Sequence, residues 1–320
     1  MAASLAPRTI QTYASAWKSY STFCITNGLA ITPVTEIKLM DFFTHAALRS
    51  ISYKSLTVYL SGLSYHSEII GQPLCLADMH SLYRLMRGIR RTQGNSLTRV
   101  KRCPITINHM FTLKRYLHFC YPNNDGIMFW CAFTSAFFGL LRSAEYTSPT
   151  LTSFLDSTLM LQDVSFSLDG TKMSIAVRAS KTDPFRIGTI IRFYKINSPL
   201  CPVQAARLYR QVHPCDHGPF FQFLNGSFLT RNRVAVCLQS AFPSITNINT
   251  HSFRIGGASA AASRGIPDSI IQIIGRWSSD CFRQYIRISD PDLSQYHQRM
   301  SEVQSNLRTW NSESLSSHNN

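Results

Sequence analysis

Apolar residues recur at helical spacing through residues 1–91, in four successive segments. The first segment ends at Gly28 and the third ends at Gly71, because glycine commonly terminates a helix. Thr35 can cap the second segment and Asp78 can cap the fourth. The pattern therefore predicts an all-α domain over this part of the chain.

The pattern changes after residue 103, where helical and strand-like segments are mixed. Helical periodicity extends over 105–120 and 125–146. Three β-rich runs follow, at Val164–Leu168, Met173–Arg178 and Thr189–Tyr194. Five more helical segments come last, at 202–212, 231–241, 251–263, 267–275 and 279–287. We therefore predict a mainly α fold with a small antiparallel β-sheet, in which an α+β domain over 104–300 follows the all-α domain.

Two polar stretches frame this second domain. Residues 92–103 hold glycine, asparagine, serine and threonine without an apolar period, which is typical of a linker. Residues 301–320 are polar and rich in serine, which is typical of a tail without a packed core. Within the domain, the pair Gly256-Gly257 indicates close packing of the helix predicted over 251–263.

The positive charges of the chain are clustered. The formal net charge is +15, and no acidic residue lies between Asp78 and Asp125, a window that holds nine basic residues. Such clustering favours a polyanion partner, most simply double-stranded DNA. The candidate DNA contacts are Arg84, Arg87, Arg90, Arg91, Arg99, Lys101 and Arg102. The stripe formed by Arg84, Arg87 and Arg91 on the fourth helix also fits a merely solvated face.

The cysteine pattern and the hydropathy argue against several classes of protein. The nine cysteines include no Cys-x-x-Cys pair, and the one metal-like cluster, between His213 and His217, fits a loop better than a zinc site. No signal peptide opens the chain, and no run of about 18 apolar residues predicts a membrane span. We expect an intracellular protein, nuclear if its host is eukaryotic, with no cofactor, no metal and no membrane contact.

A His-x-x-Arg pair is the strongest chemical signal. His251 and Arg254 lie one helical turn apart, so both side chains can reach one point in space. A guanidinium binds two phosphate oxygens, and an imidazole can donate to a third oxygen or move a proton. The phenol of Tyr285 can attack phosphorus in such cationic surroundings. This combination predicts a phosphoryl-transfer site that needs no metal.

Upstream residues can complete such a site. Arg142 ends the apolar run FWCAFTSAFFGLL, and Glu145 lies on the same helical face, where it could hold the arginine in place. Lys181 lies between two β-rich runs and could protonate a leaving 5′ oxygen. Each of these residues also has a plain interpretation, such as an arginine that extends to solvent. Two lysines and one tyrosine compete for the same roles: Lys172, Lys195 and Tyr296.

In chain order the candidates resemble the active-site pattern of the tyrosine recombinase (phage integrase) family, which is Arg, Lys, His-x-x-Arg, His or Trp, Tyr. The matching residues are Arg142, Lys181, His251, Arg254, Trp277 and Tyr285. The resemblance covers residues 100–290 well and the first hundred residues in general layout only. Tyr285 follows Trp277 by eight residues, where the family usually has nine. The phrases SKTDPFR and GRWSSD further resemble the recombinases of DIRS-like and Crypton mobile elements.

The resemblance implies a helical core-binding domain followed by a catalytic domain, and a two-step transesterification without ATP or metal. Tyr285 would attack a DNA phosphorus and leave a 3′-phosphotyrosyl link, which the free 5′ hydroxyl of a second duplex would reverse. The two arginines would stabilise the transition state, the histidine and the tryptophan would add hydrogen bonds, and Lys181 would be the acid. The resemblance also implies a tetramer on DNA, with the tail after Met300 docking onto a neighbouring protomer.

Two other functions fit the same residues. A domesticated transposon remnant would bind DNA without catalysis, although none of the six residues of the pattern is lost. An enzyme similar to type IB topoisomerases shares the Arg, Lys, Arg, His, Tyr chemistry but relaxes DNA as a monomer. Relaxation of supercoils without strand exchange would distinguish the second function from recombination.

Overall fold

A computed structural model describes most of the chain. The described residues are 5–94, 102–121, 124–179, 183, 185–213, 216–288, 290, 293–294 and 298. The chain divides into two compact units, Met1–Lys101 and Arg102–Asn320. The boundary between these units falls inside the stretch 92–103.

The first unit is helical. Its described helices are α1 (Pro7–Thr26), α2 (Glu36–Leu48), α3 (Tyr53–Ile69) and α4 (His80–Gln93). Thr35 caps α2 by accepting the Lys38 N–H at 3.4 Å, and Ser52 caps α3 by accepting the Ser55 N–H at 3.2 Å. The apolar faces of the helices enclose a core in which α1 packs on α3 and Phe42 is buried. The predicted all-α character of this part is confirmed.

The start of α4 differs from the prediction. Asp78 does not cap this helix, because it belongs to a 3₁₀ turn and its carboxylate accepts the Cys75 thiol at 2.7 Å. The N–H of Leu82 lies in the first turn of α4, where a helix offers it no partner, and it donates instead to Glu36 Oε1 at 2.8 Å. A carboxylate from α2 thus takes the place of a local cap, and this long-range contact has no signal in the local sequence.

The second unit combines helices with a small antiparallel sheet. Its described helices are α5 (Ile107–Cys120), α6 (Asn124–Phe138), α7 (Ser143–Tyr146), α8 (Pro202–Val212), α9 (Arg231–Ala241), α10 (Ser252–Ser263) and α11 (Asp268–Gly275), followed by a 3₁₀ helix over Asp280–Tyr285. Its strands are β1 (Val164–Phe166), β2 (Lys172–Val177) and β3 (Thr189–Tyr194), paired in the order β1-β2-β3. The predicted fold class is confirmed. None of the described helices is both long enough and apolar enough to cross a bilayer.

Helix α6 forms the centre of the core of the second unit. Its sequence is apolar on nearly every face, and a helix of that kind is stable only when neighbours cover it all round. Helices α5, α8 and α10 pack around it. Phe133 of α6 stacks on Phe253 of α10 with ring centroids 4.7 Å apart. This stacking fixes the start of α10, which carries two predicted site residues, against α6.

The helix predicted over 125–146 is broken. Helix α6 ends at Phe138, Leu140 takes a left-handed φ of +46°, and α7 begins after Arg142. Gly139 lies at the break against the ring of Phe193, 2.6 Å from where a Cβ would stand, so a larger residue would not fit. The break frees the carbonyl oxygens of residues 139 and 140 from helical hydrogen bonds.

Helix α10 packs closely along its glycine pair, as the sequence predicts. A Cβ at Gly256 would overlap the backbone of Ile105, and a Cβ at Gly257 would overlap the carbonyl of Phe137. The Ile105 N–H also donates to the Ser252 carbonyl at 3.0 Å. The segment before α5 and the end of α6 therefore lie directly against α10.

Replacing Gly256 by alanine should destabilise the second unit. The new methyl group meets the Ile105 backbone, which cannot rotate away as a side chain could. The free energy of unfolding should fall by about 1–3 kcal/mol, measured by urea denaturation followed by circular dichroism.

The matched control for this substitution is Gly88→Ala. Gly88 is exposed within α4, and open space surrounds the position of its Cβ. This change should be neutral or stabilise by up to about 1 kcal/mol, because alanine is the better helix former. Equal losses in the two variants would contradict the close approach of α10 to residue 105.

Candidate active site

Five of the six predicted catalytic residues lie together in the second unit: Arg142, His251, Arg254, Trp277 and Tyr285. They come from the break after α6, the start of α10, the segment after α11 and the end of the 3₁₀ helix. The sixth, Lys181, lies outside the described residues. Residues far apart in sequence thus form one cluster, whose contacts decide what chemistry it can do.

Glu145 is buried at the base of the cluster and holds two arginines. Its Oε1 lies 3.1 Å from Arg142 Nη1, and its Oε2 lies 2.7 Å from Arg276 Nη2. Its Oε2 also accepts the backbone N–H of Arg142 at 2.8 Å. The carboxylate is 3% exposed, so water screens these ion pairs little. Glu145 therefore fixes the position of both guanidiniums.

Arg254 is fully buried, with none of its surface exposed. Its guanidinium donates to two main-chain carbonyl oxygens, one from Leu140 and one from Gly275 at 2.7 Å. The ring of Trp277 lies 4.0 Å from the guanidinium carbon and the ring of Tyr285 lies 5.4 Å from it. Among the described residues no carboxylate forms a salt bridge with Arg254.

The cluster holds an excess of positive charge. Burial, together with the charges of Arg142 and Arg276, lowers the pKa of Arg254 to about 9, whereas Glu145 opposes the shift. Arg254 is still a cation at neutral pH. A buried cation surrounded by dipoles, rings and like charges is costly unless an anion joins it. The arrangement is therefore suited to an oxyanion such as a phosphodiester.

Arg276 joins this cluster from the end of α11. It takes a left-handed conformation with φ +56°, at a position where helices usually have glycine. Its side chain is 9% exposed, and Nη1 donates to the Gly139 carbonyl at 2.9 Å. No role of Arg276 is predicted from the sequence pattern. The available signal was the spacing, because Arg276, not Trp277, lies nine residues before Tyr285.

His251 is a neutral imidazole beside the tyrosine. Its ring centroid lies 5.3 Å from that of Tyr285, and its backbone N–H donates to Asn249 Oδ1 at 2.9 Å. Burial, together with nearby arginines of which Arg102 acts most strongly, lowers the pKa of His251 to about 4. At neutral pH this ring can accept a proton from a neighbouring hydroxyl.

Arg102 reaches the site because the chain before α5 runs along the start of α10. The Cys103 N–H donates to the Asn247 carbonyl at 3.2 Å, in the loop that precedes α10. Arg102 itself is exposed. Its role predicted from the sequence is DNA binding only, and in the structure its charge also acts on His251.

Tyr285 is half-buried between the two other rings of the site. Its ring centroid lies 5.1 Å from that of Trp277, which is 7% exposed. Its carbonyl accepts the Ser259 hydroxyl at 3.3 Å, and the same hydroxyl oxygen accepts the Arg287 N–H at 2.8 Å. Ser259 therefore ties the end of the 3₁₀ helix to α10.

A cavity of about 310 Å³ separates the β2–β3 hairpin from the end of α11. Its lining includes Val177, Thr189, Arg276 and Trp277. Asp183, from the connection between β2 and β3, also lines this cavity. The rival lysines, Lys172 and Lys195, are at the other end of the hairpin, about 17 Å along the strands.

The predicted DNA contacts on α4 form a surface of the first unit. Four arginines of this helix are exposed: Arg84, Arg87, Arg90 and Arg91. Among the described residues none of the four forms a salt bridge with a carboxylate. Arg99 and Lys101, like the rival Tyr296, lie outside the described residues.

The low pKa of His251 should make the folded protein sensitive to acid. The unfolded chain takes up a proton at an ordinary histidine pKa of about 6.5, whereas the folded chain does so only near pH 4. Unfolding therefore becomes more favourable as the pH falls through this window. In His251→Gln this contribution is absent, so the variant should gain stability relative to the wild type as the pH falls from about 7 to 4.

Urea titrations at several pH values measure this difference in free energy of unfolding. His118→Gln, at an exposed position of α5, controls for the loss of a histidine as such. A pH-independent difference between the wild type and His251→Gln would contradict the burial of a neutral imidazole in this site.

No family model matches the sequence, and no curated protein matches it. Solved structures do match the coordinates. XerH site-specific recombinase, in a post-cleavage complex with a palindromic difH substrate, has a TM-score of 0.60 at 14% identity, over 91% of this chain and 80% of that one. A lambda integrase dimer bound to a COC′ core site has a TM-score of 0.57 at 15% identity, over 94% of this chain and 74% of that one.

The integrase of the Tn1549 transposon, in complex with transposon right end DNA, has a TM-score of 0.55 at 12% identity, over 92% of this chain and 99% of that one. The resemblance to DIRS-like and Crypton recombinases stays a prediction, since none of these structures tests it. The chain therefore has the fold of the tyrosine recombinases and integrases.

Proposed function

We propose that the chain cuts and rejoins duplex DNA as a site-specific recombinase of a mobile element, with Tyr285 as its nucleophile. The observation that carries this proposal is the buried Arg254, a cation held by neutral carbonyls and rings, with two further guanidiniums and Tyr285 beside it. A phosphodiester would bring the negative charge that this cluster lacks. The recombinases with this fold give support, because they are described bound to DNA.

Cleavage begins when the phenol oxygen of Tyr285 attacks a DNA phosphorus. The new P–O bond forms as the P–O5′ bond breaks, which leaves a 3′-phosphotyrosyl link and a free 5′ hydroxyl. The proton of Tyr285 goes to His251, which is neutral and lies against the tyrosine ring. The leaving 5′ oxygen takes a proton from Lys181. The 5′ hydroxyl of another duplex then reverses these steps and joins new strands.

The arginines stabilise the transition state of both steps. A pentacoordinate phosphorus carries more negative charge than the ground state, and fixed guanidiniums favour it without reorganisation. Arg142 and Arg254 are the proposed donors, and the indole N–H of Trp277 adds another. The rings of Trp277 and Tyr285 lie over the guanidinium of Arg254, so phosphate contact requires the rings to shift. No external energy source is needed, because the phosphoester bond is conserved in the protein–DNA link.

The position of the β2–β3 hairpin supports Lys181 as the acid. Val177, Asp183 and Thr189, from the two strands and their connection, line the cavity beside Arg276 and Trp277. Lys172 is instead engaged at the far end, where its ammonium lies 5.7 Å from the Tyr194 ring. Lys181 belongs to the connection between these strands, so we assign the proton transfer to it rather than to Lys172 or Lys195.

The DNA duplex is proposed to contact the basic surface of α4 and the segment that follows it. We assign to the backbone Arg84, Arg87, Arg90, Arg91, Arg99, Lys101 and Arg102. Residues 1–91 would then act as the core-binding domain and 104–300 as the catalytic domain, joined by a basic linker. Strand exchange needs four protomers around two duplexes, so we propose a tetramer on DNA, inside the cell and in the nucleus of a eukaryotic host.

The nucleophile can be tested by trapping the covalent intermediate. The protein is incubated with a pool of end-labelled, nicked duplexes of random sequence, and adducts are separated on a denaturing gel. Tyr285→Phe removes one oxygen and leaves the ring contacts in place, so it should abolish the adduct while DNA binding stays within about threefold of the wild type. Tyr296→Phe is the matched control and should form the adduct normally.

Three outcomes would contradict parts of this proposal. An adduct with Tyr285→Phe but none with Tyr296→Phe would move the nucleophile to Tyr296. Binding without any adduct in the wild type would favour a non-catalytic DNA-binding protein. Relaxation of supercoiled plasmid without strand exchange would favour an enzyme similar to type IB topoisomerases.

The basic surface of α4 can be tested through the salt dependence of DNA binding. Each phosphate contact releases counterions, so replacing Arg84, Arg87 and Arg91 by glutamine should reduce the slope of log K against log salt by about 2–3 units. Fluorescence anisotropy with a labelled duplex measures this slope. The control variant removes three exposed charges from elsewhere in the first unit: Arg8, Lys18 and Arg49. A slope reduced equally in both variants would contradict a specific role for α4.

A further inference from the structure

Arg276 has a backbone conformation that is unfavourable for a residue with a Cβ. Its φ of +56° and ψ of +48° are left-handed, which costs a residue with a Cβ about 1 kcal/mol relative to glycine. As a helix terminus alone, this position would be better served by glycine. The side chain must therefore contribute something that glycine cannot.

The contacts of the Arg276 side chain all lead to the catalytic cluster. Its Nη2 donates to Glu145 Oε2 at 2.7 Å and its Nη1 donates to the Gly139 carbonyl at 2.9 Å. Its Nη2 also lies 3.3 Å from the Leu140 carbonyl, the same oxygen that accepts Arg254. One side chain thus joins the end of α11 to the break after α6.

These contacts place Arg276 between the two arginines proposed to hold the phosphate. Arg142 shares Glu145 with it, and Arg142 Nη2 donates to the Arg276 carbonyl at 3.3 Å. Arg254 shares the Leu140 carbonyl with it and donates to the Gly275 carbonyl next to it. Moving Arg276 would therefore disturb the supports of both other arginines at once.

We propose that Arg276 is a positioning residue, which fixes Arg142 and Arg254 in the geometry required for transition-state stabilisation. It acts through Glu145 and through the carbonyls of residues 139 and 140, and it does not itself contact the scissile phosphate. This inference rests on the proposed function of the site. It adds Arg276 to the proposed site residues and states how it would act on the other two arginines. Its positive charge also repels Arg254, which keeps that guanidinium in need of an anion.

The test uses Arg276→Gly in the full-length protein. Glycine suits the left-handed backbone, so the end of α11 should form at least as well as in the wild type. The single-turnover rate of adduct formation should fall about 30–100-fold, because small misplacements of catalytic groups cost such factors. DNA affinity should stay within about threefold, and the midpoint of thermal unfolding should not fall by more than about 5 °C.

Three further variants separate positioning from charge and from folding. Asparagine also adopts the left-handed backbone conformation, so Arg276→Asn should behave like Arg276→Gly. Agreement between the two variants would show that the effect comes from loss of the arginine and not from the glycine itself. Arg276→Lys keeps the charge without the planar donor pair and should recover the rate only in part. Arg283→Ala removes an exposed arginine whose ion pair with Asp268 spans 3.4 Å, and its rate should match the wild type.

Two results would overturn the proposal. The first is a rate for Arg276→Gly within about threefold of the wild type. The second is a parallel loss of rate, DNA binding and thermal stability, which would make Arg276 a residue needed only for folding.

A crystal structure of Arg276→Gly gives a readout that does not depend on DNA cleavage. The guanidiniums of Arg142 and Arg254 should move from the Glu145 and Leu140 oxygens that hold them in the wild type. Unchanged guanidiniums would overturn the positioning role even if the wild type cleaves no duplex. Absence of cleavage by the wild type would instead count against the proposed function, so the two failures are distinguishable.

Discussion

Two main-chain carbonyls at the break after α6 organise the candidate active site. Because Leu140 takes a left-handed conformation, helical hydrogen bonding stops there, and the oxygens of residues 139 and 140 accept arginine side chains. A carbonyl oxygen carries only a partial negative charge. It can hold a guanidinium in place without neutralising it, whereas a carboxylate would do both. Arg254 is thereby fixed while its positive charge is not neutralised.

The same arrangement has a cost for stability. Burial and like charges around Arg254 depress its pKa, and burial together with neighbouring arginines depresses that of His251. The folded state thus holds the Arg254 cation in an unfavourable environment, whereas the shift at His251 costs stability at acid pH. Sites of this kind are common where function needs preorganised charge. Such charges lower the stability of the fold, but their electrostatic field stabilises a transition state. The burial of α6 and the close packing of α10 stabilise the second unit and offset this loss of stability.

Much of the fold is predictable because it depends on local signals. Thr35 caps its helix, the glycine pair of α10 marks a close approach, and the His-x-x-Arg spacing puts His251 beside Arg254. Other features depend on contacts between distant segments. The apolar period of α6 continues through residues 139–141 although the helix does not, and the cap of α4 comes from Glu36. The spacing to Tyr285 is a sequence signal for Arg276, but its contact with Glu145 has no local signal, because the carboxylate lies 131 residues away.

The separation of 131 residues between Glu145 and Arg276 affects when in folding the cluster can form. The contact between Glu145 and Arg276 closes a loop that includes the sheet, α8, α9 and α10. Contacts of such long sequence separation form late in folding, because the entropy cost of closing the loop must be met before the favourable contact can form. During synthesis, Arg142 leaves the ribosome long before Arg276 and Tyr285 do. A nascent or truncated chain can therefore fold its first unit while the cluster that contains Arg142, Arg276 and Tyr285 is still incomplete.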